Sequence, residues 1–321
     1  MSKGGPVSCT GGTNFFDDNT ASLSSSSPPQ PPLEFITAFT PCSTVLRAAT
    51  WNCQQLRFIF DEKKLDSVAQ YLASAAASFD LIFLQEIPPG GNGEYRLKQL
   101  LRAMNGGNSL VEPRFRYLLG KETTVLDTSS QLNAIIYPAT WTVLQHTSLT
   151  SFLHPPVMAW FKTPHAGQST ILCASIHISP SVGMASAASA SQESGVPSTP
   201  SKATSTASKT TMQTRLHLQL GQIVEQAQTW EVSVPTHLDH RDLSPRWVLA
   251  GDYNMVPDSL PHGLVSTTPR GMPTVSASRR TLDGFILDPL TAKSFNPVIE
   301  LVKADPAVSD HYLVSLLLKE Y

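Results

Sequence analysis

The chain has 321 residues, 41% hydrophobic and 15% charged, with a formal net charge of −2, which suits one large globular domain or two small ones. That near-neutral balance leaves no overall basic field and excludes tight nonspecific coating of DNA, so a polyanion has to be met by a local patch or by metal ions. The four cysteines, Cys9, Cys42, Cys53 and Cys173, form no C-x-x-C pair, which argues against a zinc site and a disulfide framework and for a reduced intracellular setting.

In chain order, residues 1–44 come first, rich in Ser, Pro, Gly and Thr, with "SSSSPPQPP" at 24–32. Such composition buries too little apolar area to offset its ordering entropy, so a disordered tail is expected. The start lacks an apolar h-region, and no run approaches the ~18 apolar residues of a membrane span, so a soluble, unexported, nuclear or cytoplasmic monomer is expected. Strand-like runs follow: "VLRAATWN" (45–52), "DLIFLQE" (80–86), "LNAIIYP" (132–138), "VMAWF" (157–161), "TILCASIHI" (170–178), "WVLAGD" (247–252), "DGFILD" (283–288) and "YLVSLLL" (312–318). Leu65, Val68, Ala69, Leu72 and Ala76 recur at helical spacing, as do Leu216, Leu220, Ile223, Val224 and Ala227. The low-complexity stretch 181–211 reads as a long loop insertion because periodic sequence resumes on both sides. Many strands with few helices point to two packed sheets flanked by helices in one domain, 45–321.

Polar residues recur where these apolar runs end or begin. "TWN" ends in Asn52, "LQE" in Glu86, "SIH" in His177; "GDYN" holds Asp252 and Asn254, "LDGFIL" holds Asp283, and "SDH" holds Asp310 and His311. Singly, each is a turn or cap residue, or a core histidine with a satisfied hydrogen bond. Converging, they assemble carboxylates, amides and imidazoles with no serine or cysteine nucleophile. Hard oxygen ligands such as Glu86, Asp310 and Asp283 suit magnesium or manganese, and the chemistry is metal-assisted attack of water on a phosphate ester.

The ordered set of motifs across 45–321 resembles the endonuclease/exonuclease/phosphatase superfamily, nearest to deoxyribonuclease I and the distending-toxin nuclease, with tyrosyl-DNA phosphodiesterase 2 as the alternative. The resemblance implies a four-layered α/β sandwich with its active site at one edge of the two sheets. It implies Glu86 as principal ligand of Mg2+ or Mn2+, with Asp310 and Asn52 close to the metal or phosphate. Asp252, supported by Asn254, aligns or deprotonates the water, His177 and His311 flank the scissile phosphate, and Asp283 buttresses the first of these histidines. No partner for His311 is evident: where deoxyribonuclease I has a glutamate, this chain has "TSSQLN" with Ser130, and Glu300 or Asp305 are the substitutes. In "SFLHPPVMAWF", His154 takes the place of an arginine, as a weaker phosphate clamp or as an ordinary loop residue. Arg279 and Arg280, just before Asp283, and Arg57, Arg114, Arg116 and Lys121 are groove-lining cations or solvated surface charges. The expected function is a metal-dependent DNA endonuclease. A tyrosyl-DNA 5′-phosphodiesterase, a phosphoinositide phosphatase and a catalytically silent binding module are the alternatives.

Overall fold

Each of the eight expected strands forms, and four more join them. The computed structural model describes residues 44–74, 79–107, 113–124, 131–164, 170–178, 204–233, 246–257, 259–268, 272–276, 280–302 and 308–320. The expected tail therefore lies outside the described residues except for Thr44, as do most of 181–211, Ser130, Arg279 and Asp305. The strands are β1 (Thr44–Asn52), β2 (Leu81–Ile87), β3 (Phe115–Leu119), β4 (Leu132–Pro138), β5 (Thr142–Ser148), β6 (Val157–Lys162), β7 (Thr170–His177), β8 (Arg246–Asp252), β9 (Val265–Ser266), β10 (Asp283–Leu287), β11 (Phe295–Val302) and β12 (Leu313–Glu320). The helices are α1 (Glu62–Ala73), α2 (Gly90–Met104), α3 (Thr204–Ser233) and α4 (Pro289–Ser294). Because α3 begins at Thr204, residues 204–211 are helical where a loop was expected.

Two six-stranded sheets result, ordered β11-β12-β1-β2-β4-β3 and β5-β6-β7-β8-β10-β9. Each contains one parallel pair, β1 with β2 and β7 with β8, and antiparallel neighbours elsewhere. The apolar side chains sort into three buried clusters by strand parity. Leu46, Ala48, Leu81, Phe83, Val157, Phe161, Val248, Phe285 and Leu316 fill the gap between the sheets. The alternate residues of the first sheet, among them Ala49, Trp51, Ile82 and Leu84, meet Leu72 of α1 and Leu97 and Leu100 of α2. Those of the second, among them Leu172, Ala174 and Leu249, meet Leu216, Leu220 and Ile223 of α3. The order helices, sheet, sheet, helix is a four-layered α/β sandwich. With both faces of the inner strands covered, they read as continuous apolar runs.

A polar plug interrupts the inter-sheet core at one end. Gln85 is fully buried, and its amide donates to Thr50 Oγ1 (3.2 Å) and, across the gap, to Ser175 Oγ (3.1 Å). The Ser175 hydroxyl donates back to the Leu84 carbonyl at 3.2 Å. This satisfied network ties the two sheets together within two residues of the strand ends that carry the site. Among the described residues, no helix is long and apolar enough to cross a membrane.

Candidate active site

Strand parity and register bring the polar strand ends together. Asn52 shares its face with Leu46, Ala48 and Thr50, Asp252 with Val248 and Ala250, and Asp283 with Phe285 and Leu287, so all three belong to the gap between the sheets. In the second sheet His177 and Asp283 are both register partners of Asp252, which lines up three site residues across β7, β8 and β10. In the first sheet Asn52 stands opposite Gln85. The C-terminal ends of the parallel strands and the N-terminal ends of their antiparallel neighbours thus meet at one edge.

Glu86 has the wrong parity for the gap, since Gln85 already points there. The pairing of β2 with β4 slips between Leu84 and Ile87, and Glu86 adopts φ 59°. That left-handed residue turns its carboxylate back so that Oε1 accepts from Asn52 Nδ2 at 2.9 Å. Asn254, at φ 52°, makes a second such turn: its backbone N–H donates to Asp252 Oδ1 and its amide to the Ile178 carbonyl, both at 2.8 Å. Non-glycine residues held in this region store strain of about 1–3 kcal/mol each, and both turns serve one cleft, the first by its carboxylate and the second by its backbone N–H.

Asn52 Nδ2 also donates to Asp252 Oδ2 at 3.0 Å, so a single amide bridges carboxylates from the two sheets. Its Oδ1 accepts from the Gln54 N–H at 3.2 Å, and the Gln54 side chain donates to Asp310 Oδ1. His177 Nε2 lies 3.9 Å from both Glu86 Oε1 and Asp252 Oδ2, while His311 Nε2 lies 3.8 Å from Asp252 Oδ2 and 3.9 Å from Asp310 Oδ1. His311 Nδ1 is bonded to the Asp283 carboxylate at 3.0 Å. Ser309 Oγ donates to the Asn52 carbonyl at 2.8 Å and accepts from the His311 N–H at 3.1 Å, fixing the His311 loop to the end of β1.

Four carboxylates therefore face two imidazoles, and the ion pairs of the four among the described residues are all with histidines. Such a cluster suits a hard cation. Glu86 and Asp310 are the more open pair, with side chains 24% and 39% exposed, and are the oxygens an entering ion would meet. Asn52 points its amide donor at Glu86 and Asp252, so its oxygen would reach an ion only after a flip of the amide. Asp252, Asp283 and His311 also bring ligand atoms within 4.8 Å of one another. Both Asp283 oxygens are already within hydrogen-bond distance of His311 Nδ1, at 3.0 and 3.2 Å, which makes this trio a proton-holding chain before it is a metal cage.

The model of the Endonuclease/Exonuclease/phosphatase family matches residues 49–311. This chain belongs to that family. A Bacteroides vulgatus endonuclease/exonuclease/phosphatase is similar in structure, with TM-score 0.54 and 14% identity over 86% of this chain and 99% of that one. So are D. rerio TDP2 complexed with a single-strand DNA product (TM-score 0.50, 16% identity, 85% and 98% covered) and a Leptotrichia buccalis family protein (TM-score 0.50, 13% identity, 85% and 99% covered). No curated protein sequence matches the chain. The family's fold, two facing sheets with helices outside, is the one described above.

Of the residues expected from the family motifs, Asn52, Glu86, His177, Asp252, Asn254, Asp283, Asp310 and His311 all reach this cleft. One pairing is corrected: Asp283 buttresses His311 and not His177, because the isolated bridge between Val275 and His311 sets His311 next to Thr274, which bonds the start of β10. Glu300 is exposed on the edge strand β11 opposite Ser315, so it is no partner for His311. His177 has its carboxylate neighbours at Nε2 and none bonded at Nδ1, which is buried with no hydrogen bond among the described residues. In place of one, the His154 ring lies flat against it, with centroids 4.6 Å apart and planes 14° apart. His154 Nδ1 accepts from the Gln131 N–H at 3.2 Å, which holds the ring against its neighbour. Arg280 sits at the rim, Nη2 at 3.5 Å from the Asn254 carbonyl. Arg114 instead caps the Ala73 carbonyl at the C-terminus of α1.

Gln54, Ser309, Thr274 and the Gln85 plug carried no local signal beyond their neighbours' motifs. Thr274 Oγ1 accepts from the N–H groups of Leu282 and Asp283 at 2.8 and 3.1 Å and so sets the start of β10.

Burial opposes protonation of His311, but the hydrogen bond and charge of Asp283, with the charges of Asp252 and Asp310, outweigh it and raise its pKa to about 9. Burial and the neighbouring Asp252 charge push the Asp283 carboxyl up to about 6, against the pull of His311. At neutral pH the pair is an imidazolium bonded to a carboxylate. A histidine raised above its unfolded value of about 6.5 contributes stability that is complete below that pH and disappears as the pH rises through the folded value. In chelator, the stability gap between the native chain and His311→Gln is therefore expected to narrow between pH 6.5 and 9, by up to about 3 kcal/mol. Denaturant midpoints at the two pH values measure it, and a constant gap would contradict the pairing.

Proposed function

We propose that this family member is a divalent-metal-dependent phosphodiesterase that cleaves DNA, an endonuclease of the deoxyribonuclease type. The observation that carries the reading is the four-carboxylate, two-imidazole cleft whose acidic groups, among the described residues, make their ion pairs with histidines. Glu86, with Asp310 and Asn52, would hold Mg2+ or Mn2+, which when bound supplies neutralising charge to the phosphoryl oxygens and lowers the cost of an attacking hydroxide. Asp252, held by the Asn254 N–H and by Asn52, takes the proton of the attacking water. His311, kept protonated by Asp283, donates from Nε2 to a phosphoryl oxygen, and His177 binds a second one through Nε2. Arg280 at the rim contacts the backbone of the nucleic acid.

The likeness to a fish TDP2 solved with a single-strand DNA product supports DNA as the substrate class. The test is nicking of supercoiled plasmid by the purified chain in magnesium and in chelator. Nicking that requires the metal supports the endonuclease. Absence of nicking by folded protein that releases product from a 5′-tyrosyl oligonucleotide or from an inositol phosphate would overturn it in favour of those substrates.

A further inference from the structure

The segment joining Asn52 to α1 is a 3-10 turn, Gln54–Phe60, and its first residues are unusual. Gln54, Gln55 and Leu56 carry φ values of 44°, 61° and 52° in succession. Left-handed backbone costs about 1–2 kcal/mol per non-glycine residue, so other contacts must hold this turn. Leu56, Phe58 and Ile59 are buried in the core under α1 and α2, and the Gln55 carbonyl accepts from Arg96 Nη1 at 2.7 Å. What the turn delivers to the surface is Phe60, 70% exposed and the most exposed large hydrophobic side chain among the described residues.

Phe60 is not a bare apolar residue. The Arg96 guanidinium lies 4.6 Å from its ring centroid, and the same guanidinium is pinned by the Gln55 carbonyl. Tyr95, next to Arg96 on α2, is 56% exposed, and Arg57 on the turn is exposed as well. The two elements that meet here leave the catalytic cleft directly: the turn follows Asn52, and α2 follows Glu86 by way of two prolines. Phe60 is linked to the cleft through Arg96 and Gln55 to Gln54, whose side chain bonds Asp310. An exposed aromatic ring with a cation over it, joined in this way to residues proposed to handle a phosphodiester, matches the way proteins hold unpaired bases, by stacking with a cation nearby.

We propose that Phe60, backed by Arg96, is a stacking platform for an unpaired nucleobase flanking the scissile phosphate, so that the preferred substrate is single-stranded or frayed nucleic acid. This rests on the phosphodiesterase reading above. A base paired inside a duplex hides its face in the stack, so the platform discriminates against fully paired DNA.

The full chain, Phe60→Ala and Phe60→Trp are compared on a single-stranded oligonucleotide, the same strand annealed in a blunt duplex, and bis(p-nitrophenyl) phosphate, a diester without bases. Phe60→Ala is expected to raise KM for the single strand about 10-fold, to leave kcat for it within a factor of two, and to lower the preference for single strand over duplex by a similar factor. Phe60→Trp is expected to restore KM. An unchanged KM for the single strand, or an equal rise for single strand and duplex, overturns the platform while leaving the phosphodiesterase intact. Loss of turnover on bis(p-nitrophenyl) phosphate in Phe60→Ala would make the role structural and also overturn it. Wild-type turnover of the small diester without cleavage of any DNA would instead remove the nucleic-acid reading itself.

Discussion

Asp252→Ala is expected to lower metal-dependent cleavage about 10^3-fold or more while the chain stays folded, the size that loss of a general base acting beside a metal produces. Asp252 joins groups of both sheets: Asn52 and Asn254 donate to it, and both histidines lie within 3.9 Å of it. Its removal takes away the proton acceptor and lets the Asn52 amide turn away from Glu86. It also relieves a like-charge contact with Asp283, so stability measured in chelator should fall little. Asp283→Asn acts differently, through His311. It removes the negative partner of an imidazolium but keeps a hydrogen-bond acceptor, so a smaller loss, about 10^2-fold, is expected, together with a fall in the basic limb of the pH profile. Plasmid nicking and circular dichroism of the two variants separate these roles. Equal rates for Asp252→Ala and the native chain would remove Asp252 from the reaction.

Gly251→Ala is expected to cost about 3 kcal/mol and most of the activity, although it adds one methyl group next to a residue that already tolerates a side chain. A Cβ at Gly251 would stand 1.8 Å from the carbonyl oxygen of Ile176 on β7 and 2.7 Å from its carbonyl carbon. Both atoms are backbone in a parallel ladder, so no rotamer change relieves the clash and the strands must part. The next rung is His177 opposite Asp252, so the parting moves the two groups that face the phosphate. A thermal melt and a nicking assay measure both consequences. A native-like melt with native-like nicking would show that β7 and β8 separate freely there.

The expected strands and the missed ones divide along a physical line. All eight strands legible in the sequence are interior to their sheets. The four missed, β3, β5, β9 and β11, are the four edges. An edge strand is covered on fewer sides and keeps polar or half-exposed positions, as in "TVLQHTS" of β5 and "FNPVIELV" of β11, so neither a continuous run nor a clean alternation marks it. Pro297 on β11 is tolerated for the same reason. Helix α2 was hidden by its opening "GGNG", a poor helix former, and forms because Leu97, Leu100 and Met104 pack under the first sheet.

By itself the sequence determined which polar residues end the inner strands, because an apolar run and the residue that ends it are local to a strand. That was enough for the fold and for the identity of the polar groups that converge. Only the tertiary structure decided who pairs with whom. The register between β8, β10 and the His311 loop gives Asp283 to His311, and a left-handed turn at a β2 irregularity brings Glu86 round to Asn52. His177 receives a stacked ring from a loop more than twenty residues away in sequence, while no carboxylate bonds its Nδ1 among the described residues. Pairings of this kind depend on the separation of groups remote along the chain, and that separation is fixed when the two sheets pack.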